Sequence, residues 1–391
     1  MCKPLLTWSL TGATARMCQF LDYHRLSRLK SESGPLLQRK IVLFWSTYVL
    51  DRSNALRLGR PPAIQDRDID SPMLSDENPP ALVALVKFWV DTGCVQGKIC
   101  NSLYGPAAKS LSSDARAATA EAFADELDQI HQRRLKTNAA MFDRQASIPA
   151  ADLLVSGESV RHFGALTMAL SAIPLNHPRS SRALETARKC LQVNRENSKT
   201  HMKSNNVYAW TVYCQWVLLD APLTPFTGVF CNVIANPESS QEDLQLLEDF
   251  VASLQPAVPL SEGVEKFHQL CSIFVNVARA YVRAKAQQRH ANERSDDYDF
   301  SQALQPAIGE FDELSAALGF FGPDFTASQD LSMGSEPGTY FSDGLNPSIA
   351  EPAIKPSLLD WQSGNVSLYG LLEQDLNDIA CGNLGERQGN N

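Results

Sequence analysis

Apolar residues recur at every third or fourth position through most of residues 1–290, which is the spacing of amphipathic helices. Period-2 runs rich in Val, Ile and Thr, which are typical of strands, are nearly absent. The pattern therefore predicts an all-α fold, an irregular multi-helix body. Its predicted helices cover residues 8–21, 36–58, 81–90, 113–138, 158–172, 181–195, 206–219, 226–234, 241–254 and 262–289.

The ends of two predicted helices carry clear local signals. After residue 58, Gly59 provides a left-handed C-cap, and the prolines at positions 61 and 62 prevent the helix from continuing. For the helix over 113–138, Ser113 or Asp114 is the expected N-cap. The basic side chains near its end are expected in the last turn, where they favour the helix dipole; they are Arg133, Arg134 and Lys136.

The last 101 residues differ from the rest in charge and pattern. Residues 291–391 hold 17 acidic and three basic residues, so that they carry −14 and leave +5 on residues 1–290. Acidic stretches with interspersed aromatic and leucine residues are typical of disordered activation segments, although a solubilising tail has a similar composition. We divide the chain into residues 1–75 and 76–290, which form the helical body, and a largely disordered acidic tail over 291–391. Its candidate contact residues are Phe320, Phe321, Trp361 and Tyr369.

Composition and motifs exclude several classes of protein. The nine cysteines include no Cys-x-x-Cys pair, so neither a disulfide framework nor a cysteine zinc site is predicted. No phosphate-binding, serine-hydrolase or metalloprotease motif occurs, which predicts a protein that is not an enzyme. The longest uncharged stretches are too short or too rich in proline for a membrane span. No cofactor is visible.

A run of acidic residues imitates a calcium loop. Asp66, Asp68, Asp70 and Glu77 fall at positions 1, 3, 5 and 12 of that template. Ser71 stands where the loop needs a glycine, and prolines on both sides block the flanking helices. We interpret the run as a solvated linker.

An ordered signature lies in the first quarter of the chain. An aromatic-rich segment, Phe44–Arg52, is followed by Leu58–Ile64 and then by alternating aspartates in Asp66–Pro72. This order resembles the fungal-specific transcription factor domain, the middle regulatory region of zinc binuclear cluster regulators. Weaker similarities extend over residues 8–285. The signature residues are Phe44, Trp45, Tyr48, Asp51, Arg52, Gly59, Arg60, Pro61, Asp66, Asp68, Asp70 and Pro72.

The residues of the signature indicate a structural role. Trp45, Tyr48 and Arg52 share one helix face and are expected to pack together. Asp51 and Arg52 are adjacent and cannot face each other, so each is expected to pair with another segment, with Arg60 as a candidate partner for Asp51. The alternative is that these groups line a small-molecule pocket.

The resemblance implies a fungal transcription regulator, specifically the regulatory and activation part of a zinc-cluster factor acting on RNA polymerase II genes. It implies a nuclear or nucleocytoplasmic location, co-regulators bound through the acidic tail, and a small-molecule effector as a further partner. The family's six-cysteine zinc cluster is missing from these residues. Zinc and DNA binding are therefore expected only in an intact form that carries the cluster upstream. Either upstream sequence is missing here, or the product lacks its DNA-binding half. Two alternatives stay open, a DNA-binding-deficient partner or competitor of such regulators and a small-molecule-binding helical protein without a transcriptional role.

Overall fold

The structure is a computed structural model that describes residues 4–25, 27, 34–71, 81–142, 151–174, 177–204, 206–294, 306 and 309. Within those ranges the regular elements are helical and no strand occurs, which confirms the all-α prediction. Except for residues 291–294, 306 and 309, the predicted tail lies outside the described residues. The α-helices are α1 Pro4–Phe20, α2 Pro35–Leu58, α3 Ala81–Ile99, α4 Ser113–Phe142, α5 Ala151–Leu170, α6 Ser181–Ser204, α7 Val207–Tyr213, α8 Leu223–Ala235, α9 Gln241–Leu254 and α10 Glu262–Arg294.

Several helices are longer than the periodicity predicts. Helix α3 continues nine residues past the predicted end because Val95 and Ile99 are fully buried against α4 and α5. Helix α5 begins at Ala151, seven residues before the predicted start. Three short 3₁₀ turns, Asp66–Asp68, Pro106–Ser110 and Gln255–Leu260, connect the helices.

Helix α4 begins at Ser113 as predicted, but its predicted N-cap and its predicted end are wrong. Its first turn is capped by Ser112, whose hydroxyl accepts the backbone N–H of Ala115 at 3.2 Å, and not by Ser113 or Asp114. The helix continues to Phe142, so Arg134 lies well inside it and is buried. The helix dipole therefore does not explain this arginine, which instead faces a neighbouring carboxylate.

The end of α2 forms as predicted. Gly59 adopts φ 61° and ψ 28°, and its N–H points at the carbonyls of Ala55 and Leu56. The N–H of Arg60 donates to the carbonyl of Ala55 at 3.0 Å. This left-handed turn satisfies the last carbonyls of the helix and directs the chain back along α2.

Helix α2 joins three hydrophobic cores. Its first half packs Phe44 and Tyr48 against α1 and α3. Leu56 enters a second core with α3, α4 and α5, and Leu58 enters a third core with α5–α10. Eight consecutive residues, 51–58, are buried, so the second half of α2 has neighbours on every side.

Two π-helical turns interrupt the bundle. Cys100–Tyr104 ends α3, and the hydroxyl of Tyr104 donates to the carbonyl of Met168 on α5 at 2.5 Å. Cys214–Leu218 follows α7 and leads to Asp220. Such turns are frequent at functional sites because they displace the side chains that follow from their helical positions.

No single helix in the described part of the chain is long and apolar enough to cross a membrane. One consecutive pair, Val207–Leu218 with Leu223–Ala235, meets that test by length and composition, and it is bent by 61°.

Candidate functional site

The carboxylate of Asp51 fixes the loop that follows α2. It is 1% exposed and accepts the backbone N–H groups of Ala63 and Ile64, each at 2.9 Å. Two backbone donors on one carboxylate hold the returning chain in register with the helix. Burial raises the pKa of Asp51, and the two N–H donors oppose that shift.

Arg52, the next residue, also holds the loop that follows α2. Its guanidinium, 1% exposed, donates to the carbonyl of Ile64 at 2.9 Å and to the carboxylate of Asp66 at 2.7 Å. The hydroxyl of Tyr48 lies 2.7 Å from the same carboxylate, and the Tyr48 ring lies 4.9 Å below the guanidinium carbon. The ring of Trp45 packs edge-on against Tyr48 at 5.3 Å. The predicted shared face of Trp45, Tyr48 and Arg52 is therefore present.

The predicted pairing of Arg60 with Asp51 is wrong. The left-handed turn at Gly59 carries the Arg60 side chain outward, and its guanidinium lies 5.8 Å from the ring centre of Trp8 on α1. The two oxygens of the Asp51 carboxylate instead accept the backbone N–H groups of Ala63 and Ile64.

The remaining signature residues serve the linker. Pro61 is exposed and Asp68 is half-buried in the 3₁₀ turn. Asp70 and Ser71 donate their backbone N–H groups to the carbonyl of His24 at 3.1 and 3.0 Å, which joins the linker to the end of α1. Pro72 and the tail candidates lie outside the described residues; the latter are Phe320, Phe321, Trp361 and Tyr369.

A cavity of about 40 Å³, lined by both polar and apolar side chains, lies on the face of α2 next to the signature. It is bounded by α2, α3, α4, α5 and the residues after the second π-turn. Helix α2 contributes a stripe at every fourth residue, Val49, Ser53 and Arg57. The other lining residues are Phe88, Trp89, Thr92, Gln96, Leu127, Ile130, His131, Arg134, Glu158, Arg161, His162, Ala165, Met168, Asp220 and Ala221.

Two carboxylates hold the arginines of the cavity in place. Glu158 lies 3.4 Å from Nη1 of Arg134 and 3.6 Å from Nη1 of Arg161, and it accepts the indole N–H of Trp89 at 2.7 Å. Asp220 lies 2.8 Å from Arg57 and 3.3 Å from Arg161. The network therefore connects α2, α3, α4 and α5 to the turn after residue 218.

Two histidines stack at one side of the cavity. The rings of His131 and His162 are nearly parallel, with centres 4.0 Å apart. His162 lies 3.0 Å from the carboxylate of Asp128, and Nδ1 of His131 lies 3.1 Å from Nη2 of Arg134. Burial, with the charges of His162 and Arg134 adding to it, lowers the pKa of His131 to about 3. His131 is therefore neutral at physiological pH, and its Nδ1 accepts the hydrogen bond from Arg134.

The hydrophobic pattern did not reveal these cavity residues. From the sequence, Arg134 was expected in the last turn of a helix, and Glu158 was expected to begin the next one. The available signal was the set of polar residues Ser53, Asn54 and Arg57 among apolar positions near the end of the predicted helix, because such groups are costly to bury without partners.

Metal-binding and redox-active groupings are not apparent in the described ranges. No cluster of three or more His, Cys, Asp or Glu side chains there could hold a metal ion. Asp66 is the first residue of the run that resembles a calcium loop, and its carboxylate instead accepts hydrogen bonds from Tyr48 and Arg52. The cysteines of the described ranges are free thiols, and burial raises the pKa of Cys190 and Cys271.

Comparison with known proteins supports the signature. Residues 1–79 match the family described as the fungal specific transcription factor domain. An uncharacterized transcriptional regulatory protein of Schizosaccharomyces pombe is 40% identical over 68 residues, 17% of this chain and 9% of the relative. A second such protein of the same yeast is 24% identical over 313 residues, 71% of this chain and 46% of the relative. No solved structure matches the chain.

The chain spans less than half the length of either relative. The family match nevertheless covers the helix, the left-handed turn and the linker that Asp51 and Arg52 join together. Residues 1–79 of this chain are therefore similar to the fungal specific transcription factor domain, and both relatives are named as transcriptional regulatory proteins.

Proposed function

We propose that the chain is the regulatory and activating part of a fungal transcription factor that acts on RNA polymerase II genes in the nucleus. The observation that carries the proposal is the family match over residues 1–79, whose signature residues build the central helix of the body. Because α2 enters all three cores, a change on one side of the body reaches the others through one rigid element.

The helical body and the acidic tail have different tasks in this proposal. The body, residues 1–290, is a scaffold whose buried polar groups hold helices together rather than perform chemistry, and the chain is not an enzyme. The tail, residues 291–391, presents aromatic and leucine residues to co-regulators, and its charge keeps those residues accessible. DNA binding and zinc belong to a form that carries the six-cysteine cluster.

A reporter assay tests this division. The full chain fused to an unrelated DNA-binding module should activate transcription, and residues 291–391 fused alone should retain that activity. Replacing the four aromatic candidates by alanine in the full-chain fusion should abolish most of the output, because aromatic anchors supply most of the contact energy in such segments. Those substitutions are at Phe320, Phe321, Trp361 and Tyr369.

A matched control changes four serines of the same tail to alanine, and its output should equal that of the unchanged fusion; the positions are Ser335, Ser342, Ser357 and Ser367. Protein levels are compared by immunoblot for every fusion. Two results would contradict the proposal, namely a silent tail or an aromatic-to-alanine variant that activates as strongly as the serine control.

A further inference from the structure

The cavity beside α2 carries more positive than negative charge. Three guanidinium groups, those of Arg57, Arg134 and Arg161, line it together with two carboxylates, Glu158 and Asp220. The nearby His131 is held neutral and adds no charge. The arginines of the lining therefore outnumber its carboxylates by one, an excess that one bound monoanion would balance.

Arg134 is the group best placed to receive that anion. Its side chain is 4% exposed, and its buried Nη1 atom makes no hydrogen bond, although it forms an ion pair with Glu158 at 3.4 Å. Nη2 is held by His131 at 3.1 Å. A buried donor without a well-aligned acceptor is costly, and a ligand carboxylate oxygen in line with an N–H of Nη1 would remove that cost.

Apolar side chains also line the cavity. They are those of Val49, Phe88, Leu127, Ile130, Ala165 and Met168. A ligand for this cavity therefore needs a charged end beside the arginines and a hydrocarbon end beside these side chains. A volume of about 40 Å³ corresponds to roughly three or four water molecules, which sets the ligand at about two to four carbons with one carboxylate.

We propose that this cavity binds a short-chain organic carboxylate, with Arg134 as the principal anion-binding residue. The inference rests on the proposed regulatory function in one respect, since it names the effector class to which the helical body would respond. Five separate segments form the walls, so a bound acid would tie α2 and its signature loop to α3, α4, α5 and the turn at Asp220. Without a ligand, these segments are held by their hydrophobic cores and by the ion pairs around the cavity.

The test measures binding of propanoate to the full chain by ligand-observed NMR and by titration calorimetry. Propanoate should bind with a dissociation constant of about 0.1–10 mM, the range open to so small a ligand. Propan-1-ol and propylammonium have similar shapes without the negative charge and should not bind at 20-fold higher concentration. Inorganic phosphate lacks the hydrocarbon end and should bind at least about tenfold more weakly.

Two variants locate the site. Arg134→Lys keeps the charge but loses the planar fork, and it should weaken propanoate binding at least about tenfold. Arg133→Lys changes the neighbouring, exposed arginine and should bind as the unchanged chain does. Circular dichroism tests whether each variant is folded. If Arg134→Lys unfolds the chain, Ala165→Leu, which adds side-chain volume at the cavity wall, is used instead and should abolish binding.

The proposal is overturned if propanoate and its two- and four-carbon homologues do not bind at 20 mM, if propan-1-ol binds equally well, or if folded Arg134→Lys or Ala165→Leu binds as the unchanged chain does. Such a result would leave the reporter assay of the tail unaffected, because that assay needs no ligand. Failure of the reporter assay with intact propanoate binding would instead leave a small-molecule-binding helical protein.

Discussion

Two glycines of α3 offer a paired test of the packing around Arg52. Gly93 and Gly97 lie one turn apart and both face α2. A Cβ added at Gly97 would lie 2.8 Å from Nη1 of Arg52 and 3.2 Å from its Cδ and Cζ. At Gly93 the nearest atoms would be Cε1 of Tyr48 at 3.5 Å and Cβ of Arg52 at 3.6 Å, which are ordinary contacts.

Replacing either glycine by alanine gains helix propensity worth about 0.5–1 kcal/mol. That gain is the only large effect expected for Gly93→Ala. In Gly97→Ala the methyl group must displace a guanidinium that is 1% exposed and held by Ile64 and Asp66. Overpacking of this kind costs about 1–3 kcal/mol. The difference between the two variants, in which the propensity gain cancels, should therefore be about 1–3 kcal/mol.

Urea denaturation of the full chain, followed by circular dichroism at 222 nm, measures this difference. Gly93→Ala should raise the unfolding midpoint slightly, and Gly97→Ala should lower it relative to Gly93→Ala at an unchanged slope. If Gly97→Ala is as stable as Gly93→Ala, the guanidinium of Arg52 moves freely and does not fix the linker to α2.

Two more predictions concern the turn after α2 and the buried histidine. Gly59→Val should lower the melting temperature of the chain more than Arg60→Lys, because valine is strained at φ 61° while Arg60 only covers Trp8; equal effects in a thermal melt would mean that this turn tolerates a side chain. The folded-state pKa of His131, about 3, lies below its unfolded value of about 6.5, so the stability that this residue contributes is complete above about pH 6.5 and is lost as the pH falls toward 3. His131→Asn, which can still accept from Arg134, should therefore reduce the loss of unfolding free energy between pH 7 and 5 by up to about 2 kcal/mol in urea titrations, and an unchanged loss would show that His131 becomes protonated in the folded chain.

The sequence by itself determined the class of the fold, the helix over residues 36–58 and the resemblance of its first part to the fungal specific transcription factor domain. Local properties decide these features: the 3.6-residue period of a buried face, the freedom of Gly59 at positive φ, and an ordered set of residue types. Helix ends were less predictable where contacts with distant segments set them, as for α3 and α4.

Only the tertiary structure decided which polar residues work together. Asp51 meets two backbone donors of its own linker rather than Arg60, since the turn at Gly59 directs the two away from each other. Arg134 and Asp220 lie 86 positions apart and join one network through side chains on α5. Charge pairing across such distances leaves no periodic trace in the sequence, because each partner is positioned by its own helix and meets the other only when the helices pack.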